Sequence, residues 1–105
     1  MLTIRHEQLE ALGEARRQAF VRRLHGFVRE WKADVPEAEV EMGVRKATEF
    51  GFTRETDVAS FVEIVCLDLD GFGQPLPRQA LAYLTAHGAD PEQKLERLAR
   101  WAATR

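Results

Sequence analysis

Asp57, Glu63 and Arg23 are the residues of this 105-residue chain with the clearest chemical potential. Two carboxylates held in different surroundings can divide acid and base roles, and a guanidinium beside them can bind an anion. Glu63 lies among apolar neighbours in the run Val62-Glu63-Ile64-Val65. A charge in such a setting requires a partner. An internal pocket built on these three residues would make the chain a small helical ligand-binding protein or enzyme.

Other groupings fall short of a reaction. Asp68, Asp70 and Gly73 fit positions one, three and six of a calcium-binding loop. The match then fails, because position five is Phe72 and position twelve is Gln79 instead of a bidentate Glu. His6, His25 and His87 are far apart, and no H-E-x-x-H occurs. His87 suits the last turn of a helix, where positive charge is favoured, and His6 and His25 read as surface residues. Cys66 sits between Val65 and Leu67 and reads as a small buried hydrophobe. Glu37, Glu39 and Glu41 mark a solvated helix face. No cofactor motif and no metal motif is present.

Arg16 and Arg23 are seven apart and therefore share a side of one helix. That side also carries Leu9, Phe20 and Phe27. An ion pair with Asp57 or Glu63 across the fold is the internal solution. A socket for an acidic segment of another protein is the functional one.

These residues need elements to position them. The first helix is predicted over residues 4–32, with Thr3 as N-cap and Leu9, Leu12, Phe20, Leu24, Phe27 and Trp31 as its apolar stripe. Gly13 and Gly26 mark a bend or a close approach of another helix. The second begins at Pro36 and ends at Gly51, with Val40, Gly43, Val44, Ala47 and Phe50 on one face. The third starts at Thr53 or Thr56 and reaches Leu69, apolar on nearly every side, so it must be sheathed by its neighbours. The fourth spans Pro77 to His87 with Leu81 and Leu84 as anchors. The fifth opens with Asp90 as N-cap and Pro91 at the first helical position, and buries Leu95, Leu98, Ala99 and Ala102. The expected fold is therefore all-α: a single compact domain over residues 1–105, five helices in a bundle, the third at the centre.

Composition narrows the function classes. Apolar residues make up 45% and charged residues 30%, ordinary for a globular domain. A single cysteine excludes an intrachain disulfide. The N-terminus lacks the pattern of a signal peptide, and no apolar run approaches the ~20 residues that span a bilayer, so a cytoplasmic location is expected. Residues 1–33 hold seven Lys/Arg against four Asp/Glu, whereas residues 34–70 hold three against ten. Nucleic-acid binding is disfavoured by a pI of about 5.9 and by the absence of Lys and Arg from Val58 to Leu69.

Two stretches, LTIRHEQLEALGEARRQAF and ATEFGFTRETDVASFVEIVCLDLDGFG, resemble small helical proteins encoded in type VI secretion and related toxin-delivery loci of Gram-negative bacteria. The shared pattern is an aromatic-Gly turn (Phe50-Gly51), an E-x-D-V-A-x-aromatic helix (Glu55, Asp57, Val58, Ala59, Phe61) and a Gly-Phe loop (Gly71-Phe72). It covers about two thirds of the chain and departs after Leu69, where the loop is altered and shortened. The resemblance implies an accessory role as adaptor or chaperone for a toxin, or as the cognate partner that silences one. It carries no catalytic residues. The leading expectation is therefore a non-catalytic interaction module that uses Arg16, Arg23, Phe72, Tyr83 and Trp101 to hold another protein, since interface hot spots favour aromatic residues and Arg. A homodimer through the same patch is a further reading.

Overall fold

The computed structural model describes residues 13–105, and these fold as an all-α bundle. Its helices are α1 (Glu14–Trp31), α2 (Glu37–Glu49), α3 (Glu55–Glu63), α4 (Arg78–Leu84) and α5 (Pro91–Ala103). The end of α3 widens without interruption into a π-helical turn, Ile64–Asp68. The expected five helices are thus present among the described residues. Thr3, His6, Leu9 and Leu12 lie outside them.

Local signals set the helix ends. Gly13 is extended and precedes the first turn of α1, so it starts this helix instead of lying inside it. Gly26 has open space where a side chain would be, so it marks no close approach of a helix among the described residues. A Schellman closure ends α2: the Phe52 N–H reaches the Ala47 carbonyl, the Gly51 N–H reaches Thr48, and Gly51 has φ +89°. Phe52, just past this turn, plugs into the core. The N-cap of α3 is Arg54 rather than Thr53 or Thr56, and no side chain caps it. Glu55 and Asp57 in its first turn supply negative charge there instead. Helix α4 stops at Leu84, short of His87, where the Thr85 hydroxyl donates to the Leu81 carbonyl. Helix α5 has a complete capping box: Asp90 accepts from the Gln93 N–H, and the Gln93 side chain accepts from the Asp90 N–H.

The centre of the bundle is α3 with its π turn, which packs against α1, α2 and α5. Phe61 is fully buried, and its ring meets those of Phe50, Phe52 and Phe72 at 5.6–5.8 Å. The π turn closes with the Leu69 N–H on the Ile64 carbonyl and the Gly71 N–H on Val65. Within it the adjacent Val65 and Cys66 both reach the core. Two expected anchors lie outside the core. Trp31 is 72% exposed and Leu81 38% exposed. At the end of α1 the chain turns back, Val35 fills the core, and the His25 Nε2–H donates to the Val35 carbonyl at 2.8 Å. Trp31 is left outside this turn, and His25 is a bonded, part-buried residue instead of a free surface group. In α4 the neighbouring Ala80 and Leu84 take the inward positions.

Candidate partner-binding surfaces

The sequence-predicted site residues separate in space. Arg23 pairs with Glu55, Nη2 to Oε1 at 3.7 Å, and its guanidinium lies 6.0 Å from the Phe20 ring. The expected partners were Asp57 or Glu63. At ~100° per residue, Asp57 is turned roughly 200° from Glu55, and Glu63, two turns on, lines the groove beside α5, so Glu55 is the acid that Arg23 meets. The Glu55 carboxylate is buried, and its second oxygen has no hydrogen-bond partner among the described residues. Arg16 is exposed on α1 and is itself engaged.

Phe72 is not a surface anchor. It is 7% exposed and stacks into the Phe61 cluster. A Cβ at Gly43 would collide with its ring, so α2 needs glycine there. The loop returns to the helix through Gly71, at φ +78°, and this return carries Phe72 inward. Tyr83 and Trp101 are brought together, ring centres 6.4 Å apart, both half-buried against the core. Arg105 lies 5.3 Å over the Trp101 ring. Large apolar side chains at the surface are Trp31, Met42 and Leu81.

Cys66 is fully buried, with Sγ 3.8 Å from Glu39 Oε2. Burial, then the Glu39 carboxylate, push its thiol up to about 12. A thiol so placed stays protonated and is a poor nucleophile. Asp68 and Asp70 are exposed at the end of the π turn.

A concavity runs between the outer face of α3 and α5. It encloses about 1020 Å³, and its lining includes Thr56, Asp57, Ser60, Glu63 and Ile64 from α3, and Glu92, Leu95, Glu96 and Ala99 from α5. The central helix is therefore not sheathed on every side. Asp57 and Glu63 share this groove, while Arg23 is turned away to Glu55. Burial raises the pKa of Glu63. The polar spacing Asp57, Ser60, Glu63 (i, i+3, i+6) was a legible sign of this open face. Nothing in the sequence showed that Glu92 and Glu96 would lie opposite.

Among the described residues no helix is long and apolar enough to cross a membrane. Comparisons with protein-family models, curated proteins and solved structures found no match to this chain.

Proposed function

We propose that this chain is a non-catalytic interaction module, accessory to a secreted bacterial toxin as adaptor, chaperone or cognate partner, and working in the cytoplasm. The groove between α3 and α5 carries this reading, because it leaves one face of the central helix open. The residues that carry the family resemblance support it too. Val58, Ala59, Phe61 and Phe72 are all buried, so the shared motif builds a scaffold and leaves the surface to do the work. The test is co-expression with each protein encoded beside it, followed by size exclusion with light scattering. A stoichiometric complex with a toxin or spike-tip protein is expected. Elution of this chain alone beside every neighbour would overturn the reading.

A second reading, ligand binding or catalysis, draws on the shared position of Asp57 and Glu63 and on the raised pKa of Glu63. It predicts that a small molecule protects the fold in a thermal-shift screen and that Asp57→Asn and Glu63→Gln each abolish the shift. Arg23 has no part in it.

A further inference from the structure

The α3/α5 groove combines two kinds of surface at different depths. Leu95 is buried, and Ile64 and Ala99 are half-buried, which gives an apolar floor. Asp57 and Glu63 stand half-buried on one wall, with Glu92 and Glu96 exposed on the other. Glu96 has its own cation in Arg100, at 2.7 Å. Asp90, also in the lining, is spent on capping α5. Among the described residues Asp57, Glu63 and Glu92 enter no ion pair. The hydroxyl of Thr56, in the same wall, is buried without a partner. Among the described residues Arg54 is the single cation of the lining.

A half-buried carboxylate without a cation is costly, and an incoming positive charge removes the cost. No three of these acids converge as they would on a metal ion. They are spread along the groove, which suits an extended cation with an apolar side. We propose that the groove receives an amphipathic basic helix of a partner protein. Its apolar ridge rests on Ile64, Leu95 and Ala99, and its Lys or Arg side chains reach Asp57, Glu63 and Glu92. This partner chemistry is the reverse of the acidic segment expected from Arg16 and Arg23, and it rests on the interaction-module reading.

The test uses a fluorescein-labelled 14-residue Leu/Lys peptide of helical amphipathic pattern, with a scrambled peptide of the same composition as control. Fluorescence anisotropy is read at low and at physiological salt. The double variant Asp57→Lys/Glu92→Lys is expected to weaken binding at least tenfold. Glu37→Lys/Glu49→Lys on α2 makes the same change in net charge and is expected to cost less than threefold. The scrambled peptide is expected to bind at least tenfold more weakly. Should the reversal fail to fold by circular dichroism, Asp57→Asn/Glu92→Gln replaces it, with a loss of at least threefold expected. Equal losses from both double variants, or equal binding of the scrambled peptide, would mean a diffuse negative field and overturn the proposal. Concentration-dependent self-association abolished by the groove variants would also overturn it, in favour of a second copy as the occupant. If a neighbour-encoded protein binds and the groove variants leave that complex intact, the proposal fails while the interaction-module reading stands. If the peptide meets every criterion and no neighbour binds, that reading fails while the groove chemistry stands.

Discussion

Individual residues divide by what surrounds them, and two glycines make the contrast plain. Both lie inside helices, where replacing Gly with Ala gains up to about 1 kcal/mol from propensity. At Gly26 a Cβ meets nothing within 4 Å. Gly26→Ala should therefore raise the melting temperature by several degrees, about 4–8 °C per kcal/mol in a domain near this size. At Gly43 the Cβ meets the Phe72 ring, itself held by Phe61. Overpacking of this kind costs about 1–3 kcal/mol, so Gly43→Ala should lower the melting temperature in the same calorimetric series. Cys66 gives a second residue-level expectation. Its buried thiol, raised to about 12, should not react with a disulfide reagent at pH 8 in the native protein, and should react at once in denaturant. Fast native-state labelling would contradict the packing around Val65 and Cys66.

At the scale of elements, α1 and α3 are joined by a charged contact between a part-exposed arginine and a buried carboxylate. Glu55 is buried with one oxygen unpaired, and Arg23 is its only cation among the described residues. Removing the guanidinium strands the carboxylate. Arg23→Ala should cost about 1–3 kcal/mol, less than a fully buried pair because the arginine is 41% exposed. In that background Glu55→Met should restore stability, since an apolar side chain needs no partner. Chemical denaturation of both variants measures this. If the double variant is less stable than Arg23→Ala alone, Glu55 is held by something other than charge. The same contact shows why the pairing was misjudged from sequence. The helical wheel placed Arg23 on the inward arc, but which acid it met depended on the rotation of α3 about its own axis.

The whole molecule is expected to lose stability as pH rises, for two reasons in two windows. Folding raises the Cys66 pKa from 9.0 to about 12, so the folded state holds its proton longer than the unfolded chain. Its contribution is complete below pH 9.0 and is lost as pH climbs toward about 12. Glu63 is also raised, by burial. Its contribution is present below the ordinary glutamate value of 4.5 and is lost as pH passes through the raised value. Neutral Glu63→Gln should therefore be more stable than the parent at pH 7, by under about 1 kcal/mol for a solvent-screened group. The gain should vanish below pH 4.5. Denaturation midpoints of the two proteins across pH 3–8 decide it. A gain that persists at pH 3 would rule out desolvation of the carboxylate as its cause.

Periodicity and punctuation were enough to read the bundle: apolar residues at helical spacing, Gly51 as a stop, Asp90-Pro91 as a start, and a third helix too apolar to stand outside. Each is a local property, set within a few residues by backbone preference and side-chain polarity. The surface was a different matter. Trp31 lies outside because Val35 fills the core as the chain turns back, and Phe72 lies inside because Gly71 folds the loop onto Phe61 and Gly43 leaves it room. The groove exists because α5 meets only part of the outer face of α3. Those outcomes depend on contacts between segments distant in the chain, and only tertiary packing decides them.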